Sequence, residues 1–169
     1  MEAMGLRLIV MRHAKAGELP GGPDAERALT ERGRRDSGSA GQWLRASGLV
    51  PDSVICSAAR RARQTWRGVS AGLGGEVKVT VDPQLYQADE ADLLEIIATT
   101  TPAAVSTLMY VGHNPAAAEL ADGLTGRELE FPTSAIAVIG LPGPWADVAP
   151  GRGELVAHWT PKAGTHPIT

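Results

Sequence analysis

Six short runs of β-branched and large apolar residues punctuate this chain: Leu6 to Met11, Val54 to Ser57, Val77 to Val81, Val105 to Val111, Ala135 to Leu141 and Leu155 to Trp159. Between several of them lie stretches with helical spacing, Thr30 to Ser47, Ala58 to Leu73, Asp89 to Thr99 and Pro115 to Leu124. Runs this short predict strands, and strands separated by helices are expected to lie parallel, because a parallel connection needs a crossover of about a dozen residues or more. The expected fold class is α/β, a three-layer α/β/α sandwich around a mostly parallel, mixed sheet of about six strands. Only the Pro/Gly-rich loop "PGPWADVAPGRG" separates the last two runs, so these are expected to pair antiparallel at an edge.

Helix ends carry matching chemistry. Thr30 suits the N-cap of the first helix, Asp89 or Glu90 that of the third, and Asn114 followed by Pro115 reads as N-cap and first helical position of the fourth. Gly48 and Gly123 are expected stops. The length of 169 residues predicts one domain over 1–169, with 160–169 as a flexible tail. The net charge of −3 argues against a general pull toward nucleic acid or an anionic membrane, so any anion site has to be local. The lone Cys56 excludes an internal disulfide and reads as a core residue. No apolar stretch approaches the roughly 20 residues of a membrane span, and the first residues lack the basic start and small-residue cleavage site expected of a signal peptide. A cytoplasmic location is expected.

In an open α/β sheet ligands bind outside the carboxyl ends of the strands. There the first strand delivers Arg12 and His13, the second Ser57 followed by Arg60, Arg61 and Arg63, and the fourth Gly112, His113 and Asn114. Two imidazoles among arginines form a cationic pocket, and its matching ligand is a phosphoryl group. The guanidinium fork suits phosphate oxygens and does not lose its charge. Helix N-termini after Ser57 and Asn114 add donors of the right sign. A neutral imidazole can attack phosphorus to form a phosphohistidine, which water then hydrolyses. No metal or other cofactor is expected, since a cation site would not be ringed by arginines.

Three segments in this order, "LIVMRHAKAG", "CSAARRARQT" and "LMYVGHNP", resemble the motifs of the histidine phosphatase superfamily, which includes phosphoglycerate mutases and acid phosphatases. The form "RHAK", with "ALTERGRRD" and "FPTSAIAVI", is most similar to its SixA-type phosphohistidine phosphatase branch. The resemblance runs from about Leu6 to Ile139. It implies that His13 is the nucleophile, that Arg12 and Arg61 bind phosphoryl oxygens, and that His113 completes the pocket. Arg61 rather than Arg60 matches, because it directly precedes "ARQT"; Ser57 is expected to add a hydroxyl or backbone contact to phosphate. Lys15 stands where many members have glutamate and reads as a rim residue facing an acidic partner, or as an exposed loop lysine.

Many members protonate the leaving alcohol with an acid after the third strand. Here that region reads "PQLYQADEADLLE", where Asp89 is a candidate acid equally explained by capping. A missing acid would favour phosphoramidates, whose nitrogen leaving group departs without a new proton, over alcohol phosphates. The expected activity is therefore a metal-independent, SixA-like phosphohistidine phosphatase. Its expected partner is a phosphorylated protein such as a signalling domain bearing phosphohistidine. A small phosphorylated metabolite such as a sugar phosphate is the alternative substrate, and a phosphate-binding module without catalysis is a remote one. No nucleic-acid or membrane partner is expected, and the chain is expected to be a monomer.

Overall fold

The computed structural model describes residues 5–162 and 164–167. Seven strands run β1 Leu6–Arg12, β2 Ser53–Ser57, β3 Lys78–Asp82, β4 Thr107–Gly112, β5 Ile136–Leu141, β6 Glu154–Thr160 and β7 Gly164–Pro167. Four α-helices lie between them, α1 Glu31–Ala46, α2 Arg60–Leu73, α3 Glu90–Thr100 and α4 Ala116–Thr125. One sheet contains all seven strands in the order β3-β2-β4-β1-β5-β6-β7. β3, β2, β4 and β1 are parallel, whereas β5, β6 and β7 add successive antiparallel pairs. The chain is the expected mixed α/β/α sandwich.

The period-2 alternation of a strand explains the two cores. Leu8 and Val10 of β1 pack with Leu93, Ile97, Leu120 and Leu124 of α3 and α4. Ile9 and Met11 face the other way, onto Ala40, Leu44, Val69 and Leu73 of α1 and α2. Both faces of β1 are buried, which is why its sequence is continuously apolar rather than alternating. Cys56 is buried in the second core, and burial pushes its thiol up to about 12. The α1–α2 contact is unusually close: a Cβ on Gly41 would lie 2.2 Å from the Val69 carbonyl oxygen.

Three expectations change. Residues 160–169 are not simply a tail, since Thr160 ends β6 and Gly164–Pro167 pairs with it. This covers hydrogen-bonding groups that would otherwise form an open edge. Of the expected tail, 163, 168 and 169 lie outside the described residues. Gly123 does not end α4, which continues to a left-handed Gly126 at φ 70°. Instead Gly123 makes room for Glu90, whose Oε2 would lie 2.1 Å from a Cβ there. Finally, Asn114 is not the N-cap of α4; Pro115 occupies that position, and Asn114 Oδ1 accepts from Ala118 N–H at 3.2 Å.

Candidate active site

β1 sits at the middle of the sheet, and its carboxyl end delivers Arg12 and His13 into the crevice. His13 is clamped at both main-chain groups: its N–H donates to Gly112 O at 2.8 Å, and its carbonyl accepts from Ser134 N–H at 3.0 Å. Ser134 is buried and holds a left-handed φ of 71° to make that contact. His13 is 7% exposed. Its Nδ1 lies 2.7 Å from the Ala14 carbonyl. A carbonyl only accepts, so Nδ1 carries the hydrogen and Nε2 keeps the lone pair. Arg61 Nε–H donates to that Nε2 at 3.3 Å.

Arg61 comes from the first turn of α2 and is 6% exposed. The rest of its motif ties the helix to the β1 end. Thr65 Oγ1 accepts from Ala14 N–H at 2.8 Å and donates to Arg61 O at 2.6 Å. Gln64 Oε1 accepts from Leu29 N–H at 2.7 Å. Arg60 and Arg63 are exposed, the latter donating from Nε to the Ala58 carbonyl, so Arg61 is the arginine of this segment that reaches His13. Arg12 donates from Nη1 to Phe131 O at 3.3 Å, while its buried Nε has no partner among the described residues. An unpaired buried donor is costly, and an anion accepting from it would remove that cost.

The end of β4 supplies His113, whose N–H donates to Tyr110 Oη at 3.4 Å. Gly112 is required here, because a Cβ would lie 1.9 Å from that hydroxyl. His113 Nε2 lies 2.7 Å from the buried Ser57 Oγ, which also accepts from Ala59 N–H at 3.3 Å. Ser57 therefore orients His113. The two imidazole centroids are 5.3 Å apart, and His113 Nδ1 is buried without a partner among the described residues. Asn114 Nδ2 donates to the same Phe131 carbonyl that Arg12 uses.

Burial, and then the neighbouring positive groups, lower His13 to about 3 and His113 to about 4. Both rings are thus neutral near pH 7, as a nucleophile requires. The unfolded chain takes up protons on them below about pH 6.5. The folded chain does not until pH is far lower, so stability falls as pH drops from 6.5 toward 4. Urea titrations should show the midpoint decreasing over this window, with a shallower decrease in His13→Gln.

Two sequence candidates stand apart from this group. Lys15 is exposed, and its carbonyl accepts from Thr30 N–H at 2.9 Å, holding the start of α1. Asp89 is exposed and spends its carboxylate in a capping box, accepting from Asp92 N–H at 2.8 Å. No hydrogen bond or ion pair among the described residues joins Asp89 to the histidines or Arg61, and the capping role read from the sequence is the one its contacts show. Asp24, Arg27 and Tyr86 were missed and do belong to the site. Asp24 Oδ2 accepts from Arg61 Nη2 at 3.0 Å and from the Tyr86 hydroxyl, and Oδ1 accepts from Arg27 Nε at 2.9 Å. The available signal for Asp24 and Arg27 was "DAER", an acid and an arginine in the loop after the cationic strand end; Tyr86 comes from the turn after β3.

The arrangement presents one imidazole lone pair on a floor flanked by two guanidinium groups and a second neutral imidazole, which suits phosphoryl transfer. Comparison with known proteins agrees. The profile of the Histidine phosphatase superfamily (branch 1) matches residues 8–120. An uncharacterised Mycobacterium tuberculosis protein is 39% identical over 163 residues, covering 90% of this chain and 100% of the relative. The phosphohistidine phosphatase SixA of Escherichia coli K12 is 28% identical over 139 residues, 80% of this chain and 86% of that protein. A structure assigned as the SixA phosphohistidine phosphatase of Nakamurella multipartitia superposes with a TM-score of 0.82 at 30% identity, covering 97% of each chain. A protein histidine phosphatase SixA complexed with tungstate superposes with a TM-score of 0.80 at 26% identity, covering 93% of this chain and 98% of that one. With the fold, the motif order and the two-histidine, two-arginine floor in agreement, this chain belongs to the SixA-type branch of the histidine phosphatase superfamily.

Proposed function

We propose that this phosphatase acts on protein-borne phosphohistidine through a phosphorylated His13, without a metal ion. The observation that carries the reading is the fixed ring of His13: Nδ1–H is committed to the Ala14 carbonyl, so Nε2 is the nitrogen left for phosphorus, its lone pair exchanging the Arg61 Nε–H for the phosphoryl group. Arg12 and Arg61 neutralise the phosphoryl oxygens as the new N–P bond forms, and His113, oriented by Ser57, borders the same space. Water then attacks the phosphohistidine and regenerates the imidazole.

The substrate class follows from the protons. An alcohol leaves phosphorus poorly unless it receives one, whereas a phosphoimidazole protonated at its other nitrogen departs as a neutral ring. Among the described residues the carboxylate bonded into the site is Asp24, and its donors hold it far below the usual carboxylate range, so it has no proton to give near pH 7. The name of the Escherichia coli relative supports the same substrate. Rates on a phosphohistidine protein, a phosphoserine peptide, sugar phosphates and nucleotides test this reading. The phosphohistidine protein should give the highest kcat/KM, unchanged by a chelator. A strong preference for a sugar phosphate would overturn the substrate, and loss of activity with the chelator would overturn metal independence.

A further inference from the structure

Floor and mouth of the site differ in exposure: His13 is 7% exposed, while the Asp24 side chain is 53% exposed. Asp24 opens a short 3₁₀ turn, Asp24–Glu26, in the loop between β1 and α1. Besides its carboxylate bonds, its main-chain oxygen accepts from Arg61 Nη1 at 2.9 Å. Tyr86 reaches in from the turn after β3. Its ring stands edge-on to His113 with centroids 5.5 Å apart, and the Arg61 guanidinium carbon lies 5.9 Å from the Tyr86 centroid. A phosphoryl group seated against His13 Nε2 has its leaving group pointing outward, because the body of a protein substrate has to remain in solvent. The leaving group therefore passes the level of Asp24.

We propose that Asp24 is a specificity-determining residue, whose carboxylate accepts a hydrogen bond from the protonated distal nitrogen of a phosphoimidazole and so selects phosphoramidates over phosphate esters. The inference deepens the proposed function and rests on it. In the step, the His13 Nε2 lone pair forms the new N–P bond while the substrate N–P bond breaks. The electron pair of the broken bond returns to the leaving ring, whose other nitrogen keeps its hydrogen on Asp24. The ring departs neutral, and no proton is delivered at the breaking bond. For an ester the same carboxylate is of no use, since the departing oxygen needs a proton that Asp24 does not carry. Its negative charge also opposes substrates with further anionic groups near the phosphoryl. Asp24 takes one hydrogen from each Arg61 Nη, which leaves the other on each free for phosphoryl oxygens.

The test compares the wild type with Asp24→Asn and Asp24→Glu on a phosphohistidine peptide and on 4-nitrophenyl phosphate, whose phenolate leaves without an acid. Asp24→Asn should lower kcat/KM on the phosphohistidine peptide by about tenfold or more beyond any loss on the aryl phosphate. Asp24→Glu should recover part of the loss. Inorganic phosphate should inhibit Asp24→Asn at least as tightly as the wild type, because a negative charge has been removed. An equal loss on both substrates would overturn the proposal, assigning Asp24 only to holding Arg61, as would no loss on either. Those outcomes concern the variants. A wild type with no turnover of the phosphohistidine peptide would instead overturn the substrate reading beneath the proposal.

Discussion

His13→Ala is expected to lower turnover by at least about 10³-fold on every phosphorylated substrate, because it removes the atom that accepts the phosphoryl group. Brief incubation of the wild type with labelled substrate should trap an acid-labile, base-stable phosphoprotein, absent from the variant. Added imidazole should restore part of the rate in His13→Ala, since the cavity left beside Arg61 has the shape and hydrogen-bond donor that a free ring needs. The variant should remain folded: β1 is held by backbone pairing to β4 and β5, and His13 contributes a neutral ring rather than a charge. Turnover retained on any substrate would reject the phosphohistidine mechanism.

Arg61→Ala should be the second most damaging change, lowering kcat/KM by about 10²- to 10³-fold through both kcat and KM. It takes away a buried guanidinium that donates to His13 Nε2 from Nε and to Asp24 from Nη1 and Nη2. The Asp24 carboxylate would then lie beside the phosphoryl pocket with less positive charge to balance it, so inhibition by inorganic phosphate should weaken as well. Arg61→Lys should not rescue the rate, because one ammonium cannot span the imidazole and the carboxylate in the planar geometry of the fork. Full activity in the lysine variant would show that only the charge matters and that the orientation seen here is incidental.

The parts legible from the sequence are those carried by local pattern. Leu8 to Met11 reads as a strand buried on both faces because its apolar run has no polar alternation, and its two faces do enter separate cores. Thr30 and Asp89 act as N-caps because a side-chain oxygen one turn from an N–H needs no tertiary partner. The same locality misled at Gly123. Glycine usually marks a helix end, but here it accommodates the Glu90 carboxylate from a neighbouring helix, a contact that spacing along α4 does not encode. The pairing of Gly164–Pro167 was missed for a related reason, since a four-residue strand gains its stability from the edge it covers.

For the site, the amino-acid order determined that two arginines and two histidines stand at the carboxyl ends of strands, and so that the chain handles a phosphoryl group. This follows because strand-end position and residue chemistry are both local properties. Tertiary structure decided what those residues are to one another. It set the His13 ring against Arg61, made Ser57 the orienter of His113 and brought Asp24 onto Arg61, 37 residues away in the chain. Hydrogen-bond partners depend on distances of a few ångströms between separate elements, and those distances arise only when the layers pack.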